Sequence, residues 1–133
     1  MISPEIEIAS TAAQLIFKNR YQTENNFDGM VLEYTINGGA TWQDILNGGG
    51  SFSSGGYNGT LSTCCGNPLP GRQAWTGNSG GFIDTVVDLS ASFDGETVQF
   101  RWRMGSDNIV SSTGVWLDDI QVVGIFSPEP VTS

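Results

Sequence analysis

The chain has 133 residues, enough for one domain to bury a core without a framework of disulfides. Its 38% of hydrophobic residues are too many for a disordered chain and its 18 glycines too many for a helical bundle, so we expect an all-β fold. The 14 acidic and 5 basic residues give a formal charge of -9, which would repel nucleic acid and anionic lipid heads.

The first half of the chain contains two predicted strands. Apolar residues at 13–18 predict one, and alternation over 30–36 predicts a second, half-buried one that ends at the turn Asn37–Gly38–Gly39. The alternation assigns the second strand's residues to two faces, Met30, Leu32, Tyr34 and Ile36 on one and Val31, Glu33 and Thr35 on the other.

The stretch between Gly48 and Gly81 is rich in Gly, Ser, Asn and Pro and is predicted to be a long surface loop. It holds the only two cysteines, Cys64 and Cys65, whose Cα atoms are too close for an ordinary disulfide. In an exported protein we favour a strained vicinal disulfide, with free thiols and crosslinks to another chain as alternatives.

Three further strands are predicted at 82–89, 97–104 and 115–123. In the second of these, Val98, Phe100, Trp102 and Met104 are expected to face the core, while Thr97, Gln99, Arg101 and Arg103 face water. Short strands separated by turns predict a two-sheet antiparallel, jelly-roll-like β-sandwich. We expect residues 1–126 to form one module and residues 127–133 a linker or tail.

No stretch approaches the roughly 20 apolar residues of a membrane span, so no membrane insertion is expected. The beginning, MISPEIEIAS, lacks the basic start and apolar run of a signal peptide. We therefore expect Met1 to be an excision start and export to be encoded elsewhere in a longer parent chain.

The segment Gly77–Gly81 matches the Gly-x-Ser-x-Gly pattern of serine hydrolases, with Ser79 at the nucleophile position. The chain contains no His to activate this serine, and Lys18 is a poor substitute within a predicted strand. Lack of His also excludes the usual zinc sites, and no carboxylate pair is marked for glycoside hydrolysis. We predict a turn here and no catalytic activity.

The pair Asp118–Asp119 interrupts an apolar strand, where an unpaired charge would be costly. Counting from Ile120 and Val122 turns Asp118 inward, whereas counting from Leu117 turns Asp119 inward, so a bulge is predicted. Arg101 or Arg103 could neutralise the inward charge, and hydrogen bonds from turn amides are a further alternative. The remaining hypothesis is a structural calcium ion, held by Asp118 or Asp119 and completed by Glu24, Asn25, Asp28 or backbone carbonyls.

Aromatic residues suggest a second kind of site, a platform for stacking sugars. Trp102 follows the inward phase of its strand and is assigned to the core, whereas Trp42 and Trp75 lie near turns and are the tryptophans expected to be exposed. Tyr57 of the glycine-rich stretch would join them. The candidate ligand-binding residues are therefore Trp75, Tyr57 and Trp42.

Three blocks carry a family resemblance: FDGMVLEYTINGGATWQDI (27–45), GRQAWTGNSGGFIDTVVDLS (71–90) and VQFRWRMGSDNIVSSTGVWLDDIQV (98–122). Across residues 13–124 they resemble the MAM-like jelly-roll modules of secreted bacterial proteins, including accessory domains of immune-inhibitor-A-type metallopeptidases. Trp116–Ile120 also resembles the last strand of related jelly rolls that hold a structural calcium beside it. Cys64–Cys65 is not part of this pattern.

The resemblance implies a non-catalytic accessory or adhesion-type module of a larger secreted or cell-surface protein, such as a peptidase or another hydrolase. Its expected partners are other domains of the parent chain and a glycan or an extracellular protein. The alternative function is that of a carbohydrate-binding module that uses loop aromatics.

Overall fold

The computed structural model describes residues 1–63, 69–105 and 114–126, which form two antiparallel sheets packed as a sandwich. The all-β, two-sheet architecture predicted from the sequence is therefore confirmed. No helix within these ranges is long and apolar enough to cross a membrane. The strands are β1 (Ile6–Glu7), β2 (Gln14–Gln22), β3 (Gly29–Thr35), β4 (Gln43–Asp44), β5 (Ser51–Ser54), β6 (Gly59–Thr60), β7 (Gln73–Thr76), β8 (Ile83–Asp88), β9 (Thr97–Gly105) and β10 (Gly114–Val123).

The chain crosses from one sheet to the other at most of its connections. The six-stranded sheet has the order β1-β9-β3-β7-β6, with β4 also paired to β3, and the four-stranded sheet has the order β10-β2-β8-β5. The long strands β2, β3, β8, β9 and β10 therefore alternate between sheets. Because hydrogen-bonded neighbours are distant in sequence, neither sheet can form from one contiguous segment.

All five strands predicted from the sequence are present, and the first extends further than its apolar run suggested. Strand β2 continues to Gln22 because its polar residues also alternate: Lys18 and Arg20 are exposed, whereas Asn19 and Tyr21 are buried. The Asn19 side-chain oxygen accepts a hydrogen bond of 3.2 Å from the Thr85 hydroxyl on β8. A polar residue at a core position thus continues the strand.

The described part of the stretch from Gly48 to Gly81 is not one irregular loop, because it contains β5, β6 and β7. A turn at Gly55, which has a φ of 64°, follows β5, and a Cβ atom there would lie 2.2 Å from the carbonyl oxygen of Asp84. These strands have only two to four residues, which is too short to show an alternating pattern. Strand β5 pairs with β8, β7 pairs with β3, and β6 pairs with β7. Cys64 and Cys65 lie outside the described residues.

Strand β3 is covered on both faces, which corrects the prediction of a half-buried strand. Its inner residues Met30 and Leu32 belong to the main core. On the outer side, Val31 is buried in a second apolar cluster with Leu61, Leu69 and Ala74. Glu33, on the same outer side, is only 3% exposed. Leu61 and Leu69, which both follow β6, therefore add a partial third layer over this sheet.

The main core is organised around Phe17 of β2, which reaches across to the opposite sheet. Its ring meets Trp75 and Trp102 edge to face, with centroid distances of 5.8 and 5.3 Å. Val98, Phe100 and Trp102 are all buried, which confirms their predicted assignment to the core. Met104 was expected to face the core but is 41% exposed, because it lies where the sandwich opens at the end of β9.

Replacing Phe17 with Ala should lower the free energy of unfolding by about 3–5 kcal/mol, because it leaves a cavity between two buried indoles. The matched control is Phe126→Ala, at a side chain that is 72% exposed, which should change this free energy by about 0.5 kcal/mol or less. Urea unfolding followed by tryptophan fluorescence measures both values. Equal effects at the two positions would contradict the assignment of the core.

Candidate functional site

Asp118 and Asp119 are both exposed, so the prediction that one of them faces the core is wrong. The predicted bulge is confirmed, because the register of β10 against β2 shifts between Asp118 and Gln121. Asp119 adopts a φ of 51°, and its N–H donates to Oδ1 of Asp118 over 2.9 Å. Leu117 and Ile120 both pack against the core, so the bulge places the two intervening carboxylates in solvent.

The other three predicted calcium ligands lie in a separate turn after β2. The N–H of Asp28 donates to the carbonyl of Glu24 over 2.9 Å, and Asp28 is fully buried, whereas Asn25 is exposed. Asp118 pairs with Lys18, four residues before the end of β2 and therefore about 13 Å along the strand from its end. The two groups are not brought together. Within the described ranges no three His, Cys, Asp or Glu residues are grouped as metal ligands.

Neither arginine proposed as a partner for the aspartate pair fills that role. Arg101 instead binds Glu33 on the neighbouring strand, its Nε lying 3.0 Å and its Nη2 2.5 Å from Oε1. Arg72 occupies the other carboxylate oxygen of Glu33 at 2.7 Å and reaches Oδ2 of Asp44, also at 2.7 Å. In the part of the chain that the structure describes, Arg103 makes no ion pair. Glu33, Asp44, Arg72 and Arg101 are called the arginine–carboxylate network below.

Burial of the Glu33 carboxyl disfavours its charged form, but hydrogen bonds from Arg72 and Arg101, with their positive charges, outweigh this effect. The pKa of Glu33 is therefore lowered below its ordinary value. The neighbouring carboxylates in turn raise the pKa of Arg72 despite its partial burial. Glu33 and Arg72 are thus each stabilised in the charged form by the partners they contact.

Tyr57 connects this network to the core, which leaves its polar end little freedom to bind a ligand. Its hydroxyl accepts from the N–H of Leu32 at 2.9 Å and lies 3.1 Å from both the Leu32 carbonyl and Oδ2 of Asp44. Its ring packs edge to face on Phe52 and Trp75, with centroid distances of 4.9 and 4.7 Å. Burial, followed by the charge of Asp44, raises the pKa of the Tyr57 phenol far above its ordinary value.

The predicted sugar platform of Trp75, Tyr57 and Trp42 is not assembled. Trp75 is fully buried, so its predicted exposure is wrong, and its indole N–H donates to the carbonyl of Gly55 over 2.8 Å. Trp42 is half-buried beneath the guanidinium of Arg101, whose Cζ lies 4.4 Å from the ring centroid. Trp116, which was not among the tryptophans expected to be exposed, is the exposed tryptophan of the described ranges.

Ser79 lies in the connection between β7 and β8, and its hydroxyl is engaged by backbone groups. The hydroxyl lies 2.6 Å from the carbonyl oxygen of Gly81 and accepts from the N–H of Tyr21 over 3.0 Å. The N–H of Ser79 donates to the carbonyl of Tyr21 at 2.9 Å. The glycines Gly77, Gly80 and Gly81 all have positive φ values, which is the chemistry of a turn.

The arginine–carboxylate network was not predicted from the sequence. The sequence contained one indication of it. Glu33 is an acidic residue within one predicted strand, and Arg101 is a basic residue within another. Strand pairing places Glu33 directly opposite Arg101, and that register is a tertiary fact. No signal indicated Arg72, because it lies in the stretch interpreted as a loop.

We compared the chain with protein-family models and with curated proteins. No protein-family model matches the chain, and no curated protein matches it.

Replacing Glu33 with Gln should lower the free energy of unfolding at pH 7 by about 2–4 kcal/mol, because two arginines lose a buried partner. The folded-state pKa of Glu33 lies below the unfolded value of about 4.3, so its ionisation stabilises the fold above that pH. This contribution is lost as pH falls through the folded pKa. The difference between the wild type and the variant should therefore shrink upon acidification below about pH 4.

Urea titrations between pH 7 and pH 3 measure this difference. Glu7→Gln is the matched control at an exposed carboxyl, and it should change the free energy of unfolding by about 0.5 kcal/mol or less. A Glu33→Gln penalty that does not vary with pH would contradict the electrostatic role of the network.

Proposed function

We propose that this chain is a non-catalytic accessory or adhesion-type module of a larger secreted or cell-surface protein. The observation that carries the proposal is the state of Ser79: its hydroxyl is held between Gly81 and Tyr21 of the backbone, and the chain has no His to activate it. A serine nucleophile needs a base within hydrogen-bond reach. The hydroxyl of Ser79 instead supports a turn.

The polar groups gathered at the surface of the six-stranded sheet also suit a structural role. Glu33 and Asp44 are each bonded to an arginine, so neither is a free carboxylate available for acid–base chemistry. A groove of about 430 Å³ runs beside β5 and is lined by Leu46, residues 51–57 and Gln73. None of these lining residues is charged, and the groove is suited to contact rather than to reaction.

The proposed partners are other domains of the parent chain, such as a metallopeptidase or another hydrolase, and an extracellular protein or glycan. The resemblance to MAM-like modules supports this role, as does an acidic surface that disfavours nucleic acid.

The isolated chain should show no turnover of peptide, ester or glycoside substrates above the buffer rate, and Ser79→Ala should leave that rate unchanged. The same substitution should lower the free energy of unfolding by about 1–2 kcal/mol, because the buried N–H of Tyr21 loses its acceptor. Ser53→Ala, at an exposed serine, is the stability control and should have almost no effect. Substrate turnover that disappears in Ser79→Ala would refute the proposal.

We also propose a structural calcium ion. The sequence hypothesis anchored it on Asp118 or Asp119, and we now assign it to the turn Glu24–Asp28, which holds the other ligands named in that hypothesis. Carboxylate oxygens are hard donors of the kind that calcium prefers, and a backbone hydrogen bond from Asp28 to Glu24 closes the turn that carries these two carboxylates. Asp118 and Asp119 lie on another part of the sandwich and are not assigned to the same ion.

Calcium at about 100 times its Kd should raise the Tm of the EDTA-treated chain by about 10 °C, because it binds only the folded state. The shift should persist in the Asp118→Asn, Asp119→Asn double variant and vanish in Glu24→Gln and Asp28→Asn. Differential scanning calorimetry, with magnesium as the ion control, measures it. Identical melting in EDTA and in calcium would dismiss the ion.

Carbohydrate binding is the second candidate function. The aromatic residues proposed for it from the sequence are buried or packed against other side chains. One observation favours it: Trp116 and Phe82 are exposed on the outer face of the four-stranded sheet.

A further inference from the structure

Two large aromatic side chains are exposed near one end of the outer face of the four-stranded sheet. Trp116 of β10 is 40% exposed, and Phe82, immediately before β8, is 51% exposed. Outer and inner residues alternate along β8, where Thr85 and Val87 are buried, so Phe82 continues the outer side. Exposed aromatics on one face of a well-ordered sheet are a feature of binding surfaces.

The register places these two aromatics in one row across the sheet. Trp116 pairs with Arg20, and Asn19 pairs with Ile83, so the row through Trp116 and Arg20 leads to Phe82. Strand β2 separates them, which gives a spacing of two strands, about 10 Å. The guanidinium of Arg20 lies 4.9 Å from the Trp116 ring centroid and restrains this ring.

The next row on this face contains alternating charges. Lys18 pairs with Asp118 on one side and with Asp84 on the other, and all three side chains are exposed. Adjacent strands are about 4.8 Å apart, so the row presents acceptor, donor and acceptor at regular intervals. Arg20 and Lys18 offset the charges of Asp84 and Asp118, and exposed Asp119 beside Asp118 adds one further negative charge, so the area has no excess of positive charge.

We propose that this area binds a neutral saccharide chain, and we call it the Trp116 face. It consists of Trp116, Phe82, Arg20, Lys18, Asp84 and Asp118. The inference rests on the proposed function as a non-catalytic module and names its ligand class and its site.

The chemistry of a saccharide matches both rows of the Trp116 face. A hexose ring packs its apolar C–H surface on an aromatic ring, and the spacing of Trp116 and Phe82 is comparable with the length of two linked rings. Hydroxyl groups both donate and accept, so they suit a row that alternates carboxylates with an ammonium. An anionic glycan would gain no net attraction here, and the chain's overall charge would repel it.

A panel of neutral oligosaccharides on a glycan array, followed by affinity electrophoresis in soluble neutral polysaccharides, tests the proposal. The wild-type chain should bind, and Trp116→Ala and Phe82→Ala should each weaken binding about tenfold. Trp116→Phe should retain most of the affinity. Phe126→Ala removes another exposed aromatic outside the face and should leave affinity unchanged. Melting curves of the same variants verify that each one is folded.

Three results would overturn the inference: no binding to any neutral glycan, binding only to anionic glycans, or binding that survives the Trp116→Ala, Phe82→Ala double variant. Reducing-sugar release from the bound glycans is measured in parallel. Turnover there would overturn the non-catalytic function itself, whereas absence of binding without turnover would overturn only the Trp116 face.

Discussion

Glu33 is an almost completely buried carboxylate on the outer side of β3, and the surrounding structure keeps it charged. Arg101 approaches from β9, and Arg72 approaches from the segment that precedes β7, so one carboxylate joins three parts of the six-stranded sheet. Arg72 also binds Asp44 of β4, which in turn lies beside the Tyr57 hydroxyl. A buried charge is tolerated only when it has such partners. Removing one member of the network leaves the charge of its partners uncompensated, which destabilises the fold.

The aspartate pair of β10 illustrates the opposite treatment of acidic groups. Asp118 and Asp119 lie in a bulge that turns both side chains towards water, so they need no buried partner. Strand β10 is at the edge of the described four-stranded sheet, and a charged bulge is a common device against unwanted pairing of such an edge. Acidic residues therefore occur in two settings: Glu33 is buried and paired with arginines, whereas Asp118 and Asp119 are exposed at the edge of a sheet.

The packing of the two sheets also decides which aromatic residues are buried and which are exposed. Phe17, Trp75 and Trp102 meet between the sheets, where edge-to-face contacts fill the core. Trp116 alternates to the outer side of an edge strand and stays in solvent. Proximity to a turn was therefore a poor guide to exposure: Trp75 lies near a turn, but its strand pairs with the central strand β3.

By itself, the amino-acid sequence determined the five long strands, the all-β class, the burial of Trp102 and the bulge at Asp118–Asp119, because alternation of side chains is a local property of a strand. Only the tertiary structure decided that β5 and β7 exist, that Glu33 is buried, and that Arg101 meets Glu33 rather than the aspartate pair. It also decided which tryptophans are exposed. These outcomes depend on which strands become neighbours, and here the neighbours are brought together from distant parts of the chain.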